Sequence, residues 1–181
     1  MPPGAVLLFE DETVLRLLPV LRRAWALRGE QAKIGITGRN AKRVLFGTIT
    51  LRTGHRILQR SPNMRQEYFH AFLHRLRRSY PGRPIWLLLD EAPCHTAGKS
   101  QALARQLNIV LVWLPTQCSE LNAMDQLWRE LKGKISANYQ YSTIDEHAAY
   151  AEAWVRALTS TEALRKANIL SKTFWLKSFF K

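Results

Sequence analysis

Residues Leu114 to Lys134 read LPTQCSELNAMDQLWRELKGK. A Leu-Pro step ends an apolar run, a polar loop follows, and a helix then begins. Asn122 suits the N-cap, where its side-chain oxygen accepts a free backbone N–H of the first turn. Met124, Leu127, Trp128, Leu131 and Ile135 fall at helical spacing on one face. Asp125 lies three residues after the cap and has two readings. One is a capping-box acid favoured by the helix dipole. The other is a metal-binding carboxylate at the mouth of a site. Taken alone, the stretch favours the cap.

The balance shifts when the rest of the chain is searched for partners. Pro84 to Asp90 (PIWLLLD) is a short apolar run ending in an acid, and Ala5 to Glu12 (AVLLFEDE) repeats the design. Two buried strands that each lead into an Asp, with a helix that starts near a third, predict one cluster of carboxylates. Between Asp90 and Asp125 lie 34 residues.

With these blocks in place, FEDE, LLLDEAPCH and LPTQCSELNAMDQLWRELK resemble the three catalytic blocks of the DDE/DDD transposases of the mariner-like superfamily, in its bacterial insertion-sequence branch. The resemblance runs from about Val6 to Ile135. It implies metal-dependent DNA cleavage and strand transfer. Asp11, Asp90 and Asp125 would hold Mg²⁺ or Mn²⁺, two ions in all, with Asp11 shared between them. Three hard oxygen ligands suit such ions, and two-metal sites activate the attacking oxygen and stabilise the leaving one. His95 matches a His of the second block, placed near the scissile phosphate or serving structurally. Asn122, Glu12 and Glu91 join it as candidates to surround the three acids.

The chain departs from the family pattern in places. Glu91 stands where Asn is common, Cys118-Ser119 where Ser-Pro is usual, Ala123 where Pro follows the Asn, and Asp125 where many bacterial members carry Glu. The mariner branch accepts Asp there at this spacing.

Composition agrees with a nucleic-acid partner. The chain has 181 residues, of which 46% are hydrophobic, so it can build one real core. Lys and Arg number 27 against 14 acids, a net +13, and such an excess points to a polyanion. Arg22, Arg23, Trp25 and Arg28, in a loop or ribbon after the first acid, are candidate DNA contacts, as are Lys132 and Lys134. Trp25 reads equally well as a core residue. Cys94 and Cys118 make no disulfide framework, and without a CxxC pair they argue against a soft-metal site. No apolar run approaches a membrane span, and the start carries no secretory signal. The expected location is therefore cytoplasmic, at the nucleoid.

Taken in order, Ala5–Phe9 is a buried strand, with Asp11 on one side of its continuation and Glu10 and Glu12 on the other. Lys42–Leu51 and His55–Gln59 form a hairpin about Arg52-Thr53-Gly54. Ser61 and Pro62 open a helix, Ile85–Leu89 is the second acid-bearing strand, and Ala97–Leu107 is a short helix. Asn108–Leu114 is another strand, and the Asp125 helix follows. This order predicts an α/β RNase H-like fold: a mixed five-stranded sheet, three antiparallel strands then parallel ones, flanked by helices. Residues 1–138 would form the catalytic domain and 139–181 a helical extension packed on it. Thr143 opens one helix of that extension with a capping box and Thr161 caps another. The aromatic, basic end packs on the core, with a second subunit or DNA as alternatives.

The resemblance also implies helix-turn-helix modules ahead of the catalytic domain, supplied by a further N-terminal region or a separate subunit, and it admits a homodimer. Two other functions fit the residues: a stand-alone RNase H-like nuclease, and a silent transposase-derived DNA-binding protein.

Overall fold

The computed structural model describes residues 2–31 and 33–180, with side chains described as far as Lys177. Five strands form one mixed sheet: β1 (Val6–Arg16), β2 (Lys42–Thr50), β3 (Arg56–Ser61), β4 (Ile85–Leu89) and β5 (Ile109–Trp113). Their order is β3-β2-β1-β4-β5. The first three pair antiparallel, and β4 and β5 join parallel to β1 and to each other.

The hairpin between β2 and β3 turns through Gly54 at a φ of +66°, a conformation that suits glycine. The parallel strands are linked by helical crossovers, as parallel pairing requires. These are α1 (Gln66–Ser79) before β4, and α2 (Pro93–Thr96) with α3 (Gly98–Gln106) before β5. The order and directions are those of the RNase H-like fold expected from the sequence.

Strand alternation gives the sheet two apolar faces. Val6, Leu8, Phe46 and Leu87 pack against Phe69, Phe72 and Leu76 of α1. Phe9, Leu45, Ile49 and Leu88 pack on the other side against α4 (Ala123–Leu131) and α5 (Ile144–Ala157). Met124, Leu127, Trp128 and Leu131 of α4 are all buried. Each such side chain contributes about 1.5–3 kcal/mol of transfer free energy, so the helix is pinned by packing. Residues 139 onward share this core through Ile144, Ala148, Ala151 and Val155 of α5, and through Ala163 of α6 (Ser160–Lys166). In the tail, Phe174 and Trp175 meet the Phe9 ring edge-on at 6.0 and 6.4 Å. Trp175 Nε1 donates to the Leu121 carbonyl at 3.0 Å.

The structure differs from expectation at five local points. β1 does not stop at Phe9 but runs to Arg16, because β2 pairs with it from Leu8 to Arg16. Asp11 is therefore mid-strand. Ser61 does not cap α1. It is the last residue of β3, and Pro62, which has no N–H to offer, ends the ladder there. The helix starts at Gln66 after Arg65. The one-turn helix α2 was not anticipated. The cap of α6 is Thr159, not Thr161: its hydroxyl accepts from Glu162 N at 3.2 Å, and Glu162 returns the bond to Thr159 N at 2.8 Å. At α5 the capping residue is Thr143 as expected, but Glu146 Oε2 accepts from Ser142 N rather than Thr143 N.

Candidate active site

The site lies where two central strands part. β4 pairs with β1 only from Val6 to Phe9, and β1 continues alone on that side. Just past this fork stand Glu10, Asp11 and Glu12. Asp11 faces the α4 side of the sheet. Its partner on β2 is Gly47, and Gly47 has no room for a side chain. A Cβ there would lie 2.5 Å from Trp128 Cζ2 and 2.6 Å from Met124 Cε. The bare strand thus lets α4 settle directly onto the sheet.

Asn122 fixes the near end of that helix. Its Oδ1 accepts from Met124 N at 3.0 Å, the N-cap bond expected from the sequence, and its Nδ2 donates to the Glu10 carbonyl at 2.8 Å. One buried side chain therefore caps α4 and stitches it to β1. This brings Asp125, in the first turn, beside Asp11.

The charges show the crowding. Burial pushes the Asp11 carboxyl up to about 8, with further upward pressure from the carboxylates of Glu12, Asp125 and Asp90. Asp125 Oδ2 lies 2.7 Å from Arg129 Nη2, one helical turn on. That ion pair lacks hydrogen-bond alignment, so the oxygen has no hydrogen-bond partner. Asp90 sits in the loop after β4 with over half of its side chain exposed. Its Oδ1 accepts from Ala92 N at 3.0 Å and lies 3.0 Å from His95 Nδ1. The bond to the His95 ring, helped by Ala92 N–H and set against partial burial, holds Asp90 below the usual carboxylate range.

The opposite face of β1 carries a second group. His95, fully buried in α2, turns Nε2 toward Glu12 Oε1 at 3.0 Å and Glu10 Oε2 at 3.5 Å. Cys94 Sγ lies 3.7 Å from the same Glu12 oxygen. Burial would discharge the imidazole. Glu10 above all, then Asp90, Cys94 and Glu12, outweigh it and hold the His95 pKa well above its ordinary value. Glu10 is itself pushed well up by burial and by Glu12.

Of the residues singled out in the sequence, Asp11, Asp90, Asp125, Asn122, His95 and Glu12 gather at the fork. Glu91, next to Asp90 on the loop after β4, is exposed as Asp90 is. Trp25 is wholly exposed and no part of the core. Arg22, Arg23 and Arg28 are exposed on the same long connection between β1 and β2. That connection is tied to the other basic candidates. Arg22 N donates to Asn138 Oδ1 at 2.8 Å, and the Arg22 guanidinium covers Gly133, between Lys132 and Lys134. Glu10 was missed as a participant. Alternation showed which side it faces, but its burial depends on a helix more than eighty residues away.

Among the described residues, the charged groups that act on Asp11 are the carboxylates of Glu12, Asp125 and Asp90. That is the chemistry of a hard divalent cation site, and the residues fit Mg²⁺ or Mn²⁺.

Asp11, Asp90 and Asp125 thus lie about the point where the central strands of a mixed RNase H-like sheet part. Residues 6–147 match the DDE superfamily endonuclease family, and the chain belongs to it. It is similar to an uncharacterized 39 kDa protein of insertion element IS630 from Shigella sonnei, 27% identical over 138 residues. That match covers 75% of this chain and 40% of the relative, so the chain spans less than half of the relative's length. Among solved structures it resembles a Mos1 mariner paired-end complex with Mg (TM-score 0.70, 17% identity, 90% of this chain and 51% of that one). It also resembles the Mos1 mariner transposase catalytic domain (TM-score 0.63, 14% identity, 90% and 75%). At these identities the likeness is one of fold. No helix among the described residues is long and apolar enough to cross a membrane.

Proposed function

We propose that the chain is the catalytic domain of an insertion-sequence transposase, which cleaves DNA and transfers strands using Mg²⁺ or Mn²⁺ held by Asp11, Asp90 and Asp125. The observation that carries this reading is the crowding of Asp11 by Asp90 and Asp125, in a chain whose net charge is +13. Support comes from solved relatives of the same fold, described as Mos1 complexes with Mg, with Mn and with a transposon end.

Two divalent ions bound there would act as Lewis acids toward the attacking and leaving oxygens of the phosphodiester. The protein's own part is placement. Asp11, next to both other acids, is the ligand to be shared. Asp90 is held by Ala92 N–H and the His95 ring, which leaves Oδ2 free to bind. Asp125 is steered by Arg129 and delivered by the Asn122 stitch. Arg22, Arg23, Arg28, Lys132 and Lys134 would hold the phosphate backbone, with Trp25 offering an aromatic face to bases. Residues 1–138 form the catalytic unit and 139–181 its extension. The partners are the element's ends and target DNA, a second copy of the chain, and a helix-turn-helix module on the same or another polypeptide, all at the nucleoid in the cytoplasm.

The test is nicking and strand transfer on pre-cut DNA ends with Mg²⁺ or Mn²⁺, for wild type and Asp125→Asn. The variant should lose activity by orders of magnitude and melt at or above the wild-type temperature without metal, since a like charge is removed. A wild type that nicks, beside a variant that nicks equally well, would reduce Asp125 to a helix cap. Nicking without strand transfer would favour a stand-alone nuclease.

A further inference from the structure

Behind the three aspartates, on the other face of β1, the protein buries more carboxyl oxygens than its own donors satisfy. Glu10 and Glu12 both face His95, which turns a single nitrogen, Nε2, toward them. One N–H cannot serve two carboxylates, and neither oxygen of the fully buried Glu10 has a hydrogen-bond partner. A buried carboxyl group without hydrogen-bond partners is unfavourable, and a bound cation would satisfy both of its oxygens.

The donors are arranged for such a cation. Glu12, Cys94 and His95 each offer one atom, all within 4.8 Å of one another. His95 Nε2 lies 3.0 Å from Glu12 Oε1 and 3.5 Å from Glu10 Oε2, and Cys94 Sγ lies 3.7 Å from Glu12 Oε1. Zinc binds N, O and S donors at about 2.0–2.3 Å, so neighbouring corners of its tetrahedron stand roughly 3.3–3.6 Å apart. The three distances bracket that edge. The other ring nitrogen is held by the Asp90 carboxylate at 3.0 Å, the arrangement that orients metal-binding histidines.

We propose that His95, Cys94, Glu12 and Glu10 form a buried transition-metal site of the zinc class, separate from the three aspartates. Nitrogen and sulfur donors select such an ion over Mg²⁺. The partners of Cys94 and His95 would thus come from the first strand. A bound ion would clamp the Pro93–Thr96 turn to β1 and so fix the loop that carries Asp90. The site does not depend on the function proposed above.

The experiment titrates chelator-stripped full chain with Co²⁺ and with Zn²⁺ in excess Mg²⁺. The expected result is one equivalent bound, with a thiolate-to-cobalt charge-transfer band in the near ultraviolet. Cys94→Ser should abolish the band. Cys94→Ser and Glu10→Gln should each weaken binding by at least about tenfold, since even partners outside the ligand set cost that much. Asp125→Asn should bind and absorb as wild type does. If Glu10→Gln does not fold, the near-isosteric Cys94→Ser carries the test. The proposal is overturned if the wild type takes up no Co²⁺, leaving a self-contained imidazolium–carboxylate cluster. It is equally overturned if the band survives Cys94→Ser or disappears in Asp125→Asn.

Discussion

Gly47→Ala is a single methyl placed against the helix that carries Asp125. The added Cβ would stand 2.5 Å from Trp128 Cζ2 and 2.6 Å from Met124 Cε. Comfortable carbon–carbon contact begins near 3.5 Å, so about 1 Å of room must be found. Trp128 is fully buried in the core cluster that also holds the buried face of α5, so it has no open space to swing into. The helix must therefore lift from β2, directly opposite Asp11. Overpacking of this kind costs about 1–3 kcal/mol. For a chain of this size 1 kcal/mol is about 2–4 °C of melting temperature, so a fall of about 2–12 °C is expected. Activity should suffer more than stability. Lifting α4 draws Asp125 from Asp11, and an ångström of misplacement in catalytic geometry costs about 10²-fold. The assay pairs thermal melting with metal-dependent nicking at a temperature where the variant is fully folded. If Gly47→Ala lowers melting but nicks at the wild-type rate, the seating of Trp128 on Gly47 does not set the spacing of the acids. If melting is unchanged as well, the contact itself is refuted.

Other outcomes follow from the same geometry. Asp11 keeps its proton up to about pH 8 when folded and loses it near 3.8 when unfolded. Its contribution is thus present below the lower value and lost as pH rises through the higher one. Without divalent ions the Asp11 contribution to the melting temperature should fall between about pH 4 and 8 and level off above that, and Asp11→Asn should flatten that slope in parallel melts. A steeper slope in the variant would contradict it. Arg56 donates to the carbonyls of Val155, Arg156 and Leu158 at the end of α5. Arg56→Ala should destabilise by about 1.5–3 kcal/mol, as for hydrogen bonds to a charged group, and urea unfolding measures it. Trp25→Ala should leave melting untouched, because the ring is wholly exposed, while weakening single-stranded DNA binding by about 1–3 kcal/mol if bases stack on it. Duplex binding by the wild type should drop steeply between 50 and 200 mM salt in a filter-binding series, and salt-insensitive binding would exclude a phosphate-led interface.

What the sequence made legible was whatever one element could encode. The apolar runs at Ile85–Leu89 and Ile109–Trp113, the cap at Asn122 and the apolar stripe of α4 each carry their own signal, and together they order the sheet. The extent of β1 was hidden because Glu10 to Thr13 are polar yet shielded, Glu10 and Thr13 being buried in the final packing. Val14 and Leu15, continuing the alternation, were the available clue. The Thr159-x-x-Glu162 capping pattern is also present in the sequence and marks the true cap two residues before Thr161. At the site, Asp90 and Asp125 were readable from a strand end and a helix start, whereas Asp11, expected at a strand end, lies mid-strand. The Glu10–His95 contact was not, since no local pattern says that a one-turn helix after β4 will close over the first strand.

The Asn122 stitch has a consequence for the timing of synthesis. Asp11 leaves the ribosome early, in a strand that can pair at once with β2 and β3. Its other side stays open until β4 arrives, and the Glu10 carbonyl waits longer still for the Asn122 amide. Domains emerge N-terminal end first, at about 5–20 residues per second, so for several seconds the nascent chain holds its central acid without its neighbours. The meeting of the three acids belongs to the nearly finished polypeptide, and a prematurely terminated one ending in the loop before α4 would lack Asp125 altogether.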